Sequence, residues 1–325
     1  VKPLKAIPEA VSHYVDPSSK DILGTIGNTP LIEITRAKVN PAVRVYAKLE
    51  GFNPTGSLKD RIAKYMIENA EVKGELTSDR TILEATSGNT GISLAMLAKV
   101  KGYKLTVVMP ENVSSERRDL LLAYGAEVVL SDGEKGTNGA IELAKEIGRE
   151  SKYFMPDQYS NLANVQAHYE TTGAEILESL PKVDVFVAGL GTGGTLMGVG
   201  RRLRENNPGL KVVAVQPYPH GGLQGLRNLT DGFIPPILDL NGIDESYFVQ
   251  DADAFQGVKE LMDKEGIFAG ISSGAVMNVV NLISRQMRKG TIVAVFPDGG
   301  WKYLSHRIWT SDPKEAGEHY KGPLW

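Results

Sequence analysis

Val183-Asp184-Val185-Phe186-Val187-Ala188-Gly189-Leu190-Gly191-Thr192-Gly193-Gly194-Thr195 decides how this chain folds. The run Val183–Ala188 is apolar and β-branched and reads as a strand, and the glycine-rich turn after it opens a helical stretch, Leu196–Glu205. Glycines let backbone N–H groups turn inward, and a helix N-terminus adds positive potential, so a phosphate fits there. The segment also satisfies G-x-G-x-x-G, but a dinucleotide needs an acidic residue at the end of the next strand. That strand, Lys211–Val215, runs instead into Gln216 and Pro217, which favours a monophosphate.

Outward from this segment the same alternation repeats. Thr81–Ala85, Leu105–Met109, Glu127–Leu130 and Tyr153–Met155 read as strands, separated by helix-period stretches at Gly91–Lys101, Ser114–Tyr124 and Thr137–Arg149. Val183–Ala188, Lys211–Val215 and Thr291–Phe296 form a second series. The pattern predicts an α/β chain of two doubly wound domains with mainly parallel sheets, and a ligand cleft at the strands' C-terminal ends. The stretch 217–236, rich in Gly and Pro, reads as a long functional loop, and residues 1–20 as a docking or dimer-exchange arm.

The 325 residues carry 42% hydrophobic and 23% charged side chains and a formal charge of −3, the profile of an ordinary globular protein with no basic nucleic-acid footprint. No apolar run is long enough to cross a membrane, and the N-terminus lacks the order of a signal peptide, so a cytoplasmic location is expected. With no cysteine, disulfides and thiolate chemistry are excluded. His13, His168, His220, His306 and His319 lack ligand spacing, so no metal is expected.

Asn53-Pro54-Thr55-Gly56-Ser57-Leu58-Lys59-Asp60-Arg61 places a lysine where a helix should begin, after the strand-like run Val43–Leu49. Helix-end amides favour the neutral amine, which attacks carbonyls such as that of pyridoxal phosphate. Alone, such a lysine is ordinarily solvated. Two further strand-to-helix junctions change that reading: Thr86-Ser87-Gly88-Asn89-Thr90-Gly91, a cradle for a small carboxylate, and Gly270-Ile271-Ser272-Ser273-Gly274. Each could merely cap a helix. Together with the phosphate turn they supply the parts a pyridoxal-phosphate enzyme requires.

These motifs, in this order from Ile26 to Ser305, resemble the fold-type II pyridoxal-phosphate enzymes of the cysteine synthase and cystathionine β-synthase family. The resemblance implies that Lys59 holds the cofactor and removes the substrate's Cα proton. Asn89 would meet the ring oxygen, Gly191, Thr192, Gly193, Gly194 and Thr195 the phosphate, and Ser272 the ring nitrogen. Thr86, Ser87, Gly88, Thr90 and Gln158 would bind the substrate carboxylate. A serine at the ring nitrogen does not enforce its protonation, which suits loss of a β-leaving group. The reaction implied is β-replacement through an aminoacrylate, with residues 53–158 as a smaller mobile domain closing on a larger one, 1–52 and 159–325. A homodimer is implied as well. Serine with homocysteine, or a non-catalytic relative, are the alternatives.

Arg227, in the loop Gly222–Phe233, stands where O-acetylserine enzymes commonly carry an uncharged run. An arginine there could grip a phosphate in two places. Gly300-Trp301-Lys302-Tyr303 and the terminal Gly322-Pro323-Leu324-Trp325 also resemble the B-type, O-phosphoserine-dependent cysteine synthases, so O-phospho-L-serine is the expected substrate, with O-acetyl-L-serine the other candidate. Sulfide, thiosulfate or a thiocarboxylated carrier protein would supply sulfur, and Trp325 would act as a lid.

Overall fold

The computed structural model describes residues 20–86, 88–113, 115–219 and 221–311. The expected arm, Ser87 and the tail ending in Trp325 lie outside these, save Lys20 at the arm's end. In chain order the strands are β1 (Leu31–Ile34), β2 (Val43–Leu49), β3 (Thr81–Ala85), β4 (Lys104–Pro110), β5 (Glu127–Ser131), β6 (Tyr153–Phe154), β7 (Val185–Gly189), β8 (Lys211–Pro217), β9 (Glu245–Val249) and β10 (Gly290–Phe296). The α-helices are α1 (Lys59–Val72), α2 (Asn89–Lys101), α3 (Ser115–Tyr124), α4 (Gly136–Ile147), α5 (Leu162–Ala167), α6 (Gly173–Ser179), α7 (Gly194–Asn206), α8 (Asp251–Glu260) and α9 (Ile271–Gln286).

Among the described residues these strands form two sheets. One has six strands in the order β1-β2-β10-β7-β8-β9, and the other has four in the order β5-β4-β3-β6. All pairings are parallel except β1 with β2. The chain is therefore α/β with mainly parallel sheets, as its alternation predicts. Crossover helices cover both faces of the larger sheet, and side-chain alternation along each strand sorts the core into two layers. Val45, Val187, Val213 and Ala294 pack with Phe255, Val276 and Val280 of α8 and α9. Tyr46, Phe186, Val212 and Val293 pack on Leu196, Val199 and Leu203 of α7. Each such buried Val, Leu or Phe side chain contributes about 1.5–3 kcal/mol over leaving it exposed. The smaller sheet repeats the division, with Ile82, Leu105 and Val107 toward α1 and α2, and Leu83 and Val108 toward α4.

Two strands escape the sequence reading, and both are edges. β9 alternates half-covered and exposed positions with only Val249 buried, and β1 is half-covered over most of its length, so neither shows the continuous apolar run of the central strands. Parallel pairing points β2, β7 and β10 the same way in the larger sheet, and residues just after the C-terminal ends of β3, β7 and β10 line one cleft, joined there by Lys59 from the turn that follows β2.

Candidate active site

Asn53 to Arg61 is fastened by nearly every polar side chain except that of Lys59. The Gly27 amide donates to Asn53 Oδ1 at 2.9 Å, and Asn53 Nδ2 donates to Glu50 Oε2 at 2.9 Å. Both the amide (2.8 Å) and the hydroxyl of Thr55 donate to the Asp60 carboxylate. Gly56 has φ 79°, and a Cβ there would lie 2.0 Å from the Trp301 ring. Arg61 grips Glu50 with two nitrogens, at 2.7 and 2.9 Å, and meets Glu175 at 2.6 Å. Burial opposes ionisation of Glu50, but Arg61 and Thr29 outweigh it and hold that carboxyl below its ordinary range.

Lys59, the first residue of α1, is left to line the cleft. Its amine is pulled down to about 8 by burial, against the opposing charge of Asp298. The sequence attributes such a depression to helix-end amides; desolvation is its main cause here. The neutral amine therefore predominates above about pH 8, and capture of pyridoxal phosphate by the apo-protein should accelerate as pH rises through that value. Stopped-flow absorbance should give a midpoint near 8, against about 10.4 for an unshifted lysine. A midpoint of about 10 or higher would contradict the burial argument.

The ends of β3, β7 and β10 complete the cleft. After β3, the Gly88 amide donates to Thr86 Oγ1 at 3.1 Å, and Thr90 donates to Gln158 Oε1 at 2.7 Å. Gln158 is secured from behind. Its carbonyl accepts from Asn164 Nδ2 at 2.9 Å, and its amide, with that of Asp157, donates to the Glu84 carboxylate. Burial, with Asp157 adding to it, pushes that carboxyl up to about 8. Asn164 Nδ2 also donates to Thr192 Oγ1 at 3.0 Å, so one buried amide ties the Gln158 side of the cleft to the glycine turn after β7.

That turn has the form of an anion cradle. Gly193 has φ 90° and precedes α7, whose first amides have no helical carbonyl to take them. A Cβ on Gly191 would approach the Gly225 carbonyl to 2.9 Å, and one on Gly194 would lie 1.9 Å from Asn164 Oδ1. Asn164 cannot retreat without releasing Gln158 and Thr192. Gly194→Ala should therefore weaken pyridoxal phosphate binding about tenfold in a fluorescence titration, with unchanged circular dichroism. Unaltered affinity would contradict the cradle. Thr195 Oγ1 lies 3.2 Å from His168 Nε2, and burial drives that imidazole well below its ordinary pKa, so it is neutral.

Arg227 is fully buried. Its guanidinium carbon lies 4.7 Å from the Phe233 ring centre and 5.4 Å from that of Tyr159, and Nη1 reaches Asn138 Oδ1 at 3.4 Å. It is not a solvated surface arginine; it lines the same cleft as Lys59.

Of the residues expected from sequence, Lys59, Thr86, Gly88, Asn89, Thr90, Gln158, Gly191, Thr192, Arg227 and Ser272 all line this cleft. Gly193, Gly194 and Thr195 continue the turn just behind its wall, and Ser87 lies outside the described residues. Sequence reasoning missed Arg117, Tyr159, Asp298 and Tyr303, which line it as well. Arg117 stands in a Glu-Arg-Arg run that reads as an exposed helix start, yet it is 2% exposed and sits 5.0 Å over the Tyr303 ring. Asp298 had a usable signal, because it follows the apolar strand β10 at its C-terminal end.

The side chains present suit pyridoxal phosphate. A glycine turn that any Cβ would fill could take the phosphate, the buried Lys59 amine could take the carbonyl, and the buried Ser272 hydroxyl at the start of α9 could offer a neutral partner to a ring nitrogen.

Comparison with known proteins agrees with this geometry. A family model described as pyridoxal-phosphate dependent enzyme matches residues 22–298. A cysteine synthase of Aquifex aeolicus (strain VF5) is 42% identical over 300 residues, covering 89% of this chain and 92% of that protein. The crystal structure of a hydrogen sulfide-producing enzyme from Fusobacterium nucleatum has a TM-score of 0.83 at 42% identity, covering 88% of this chain and 98% of the other. That of O-ureido-L-serine synthase has a TM-score of 0.85 at 39% identity, covering 89% and 95%.

Proposed function

Because this chain belongs to the family of pyridoxal-phosphate dependent enzymes and is of the cysteine synthase type, we propose that it makes L-cysteine from O-phospho-L-serine and a sulfur nucleophile. The observation that carries the choice of substrate is Arg227, buried between two aromatic rings in the wall of the cleft that holds Lys59. A guanidinium in that position suits a phosphate leaving group, whose oxygens it can take two at a time; an acetyl group offers it much less.

Bound pyridoxal phosphate supplies the electron sink for the substrate's Cα carbanion. The chain's own groups do the rest. Thr86, Gly88, Thr90 and Gln158 take the substrate carboxylate, with Asn164 and Glu84 holding Gln158 in place. Lys59, with a basicity tuned to about 8, is suited both to hold the cofactor and to carry the proton taken from Cα. Arg227 balances charge as phosphate departs. Residues 53–158, which contain the whole four-stranded sheet and the carboxylate loop, are proposed to close over the substrate and exclude water. The homodimer implied by the resemblance belongs to the same proposal and is read from the mass of the intact protein in solution.

Purified protein reconstituted with pyridoxal phosphate should form cysteine from O-phosphoserine and sulfide. Failure to form cysteine from either O-phosphoserine or O-acetylserine, with sulfide or thiosulfate, would reject the reading.

A further inference from the structure

We propose that Lys302 is a positioning residue, which fixes the side-chain amide of Asn89 with its NH2 group turned toward the cofactor. The inference rests on the reading of Asn89 as the residue that meets the ring oxygen of pyridoxal phosphate.

Lys302 is fully buried in the 3₁₀ turn Gly300–His306, and its Nζ donates to Asn89 Oδ1 at 2.7 Å. An ammonium has three donors and no acceptor, so only the oxygen end of the amide can face it. Asn89 Nδ2 is then directed to the other side, where it donates to Asp298 Oδ2 at 2.8 Å. That carboxylate oxygen is itself anchored, accepting from the Tyr303 hydroxyl at 2.7 Å. The amide is thus clamped at both ends by groups of opposite charge. Turning it over would set NH2 against the ammonium and C=O against the carboxylate, two repulsive contacts away from bulk water. An amide nitrogen carries two hydrogens, and Asp298 takes one. The second remains for an acceptor in the cleft that Asn89 lines.

In the sequence Lys302 stands out only as part of the stretch Gly300-Trp301-Lys302-Tyr303, with no role of its own. Its burial is the informative fact. Burial works to strip its proton, pulling the amine down to about 8, while Asp298 works to keep it.

The test is a double-mutant cycle on cofactor affinity, read by fluorescence titration of the apo-protein with pyridoxal phosphate. Asn89→Ala and Lys302→Met should each weaken binding about tenfold, the size expected for one charge-assisted hydrogen bond. The double variant should be no weaker than either single, because Lys302 acts only through Asn89. Lys302→Arg, which keeps donor and charge, should stay within about threefold of the parent, since the bond itself is preserved. If Asn89→Ala leaves affinity unchanged, the reading of Asn89 fails and this proposal falls with it. If Asn89→Ala weakens binding but Lys302→Met does not, or the two losses multiply to about a hundredfold, Lys302 does not act through Asn89 and this proposal alone is overturned. Should Lys302→Met fail to fold by circular dichroism, Lys302→Gln takes its place in the same cycle, with the same outcomes deciding.

Discussion

Lys59→Ala should leave a folded protein that borohydride no longer links to pyridoxal phosphate and whose cysteine formation falls by about 10²–10⁴-fold, the range for losing a positioned acid–base group. The structure makes the expectation specific. Asn53, Thr55, Asp60 and Arg61 are engaged in holding the turn, so removing the Lys59 side chain leaves the turn intact. Folding should therefore survive, and the phosphate cradle at α7 should still take the cofactor non-covalently. Retention of borohydride-stable labelling in Lys59→Ala would assign the cofactor to another lysine. Lys302, also buried and also pulled down to about 8, is the one to sequence next.

Arg227→Ala should lower kcat/KM for O-phosphoserine by about 10–100-fold while changing that for O-acetylserine by less than about threefold, the size of a lost hydrogen bond to a charged group. Selectivity is the measurement that counts. Arg227 also packs on Tyr159 and Phe233, so its removal will disturb the wall of the cleft for every substrate. Only a differential loss reports recognition of phosphate. Arg227→Lys should not restore the phosphate preference, because a lysine ammonium reproduces neither the planar stacking nor the two-point grip. Equal losses on both substrates would reduce Arg227 to a packing residue.

Much of the fold and of the cleft is legible in the sequence. Central parallel strands are buried on both faces, so β3, β4, β7, β8 and β10 appear as apolar runs, and the glycine turn after β7 marks where a strand hands over to a helix. Most of the cleft-lining residues found by reading stand on strand-to-helix junctions, where backbone geometry demands glycine, hydroxyl or amide side chains, while Arg227 is read from its loop. What stays hidden depends on burial, which local sequence does not encode. Arg117 and Lys302 look like surface charges and are nearly inaccessible, and Glu84 looks like a strand acid and is a buried carboxyl held up to about 8. Asn164 shows the same limit, since its bridge between Gln158 and Thr192 joins residues far apart in the chain.

The most direct test of the account compares kcat/KM for O-phospho-L-serine and O-acetyl-L-serine in the reconstituted protein, with sulfide as acceptor and cysteine as readout. A preference for O-phosphoserine of at least about tenfold, lost in Arg227→Ala, is the predicted result. Equal or greater efficiency with O-acetylserine would contradict it.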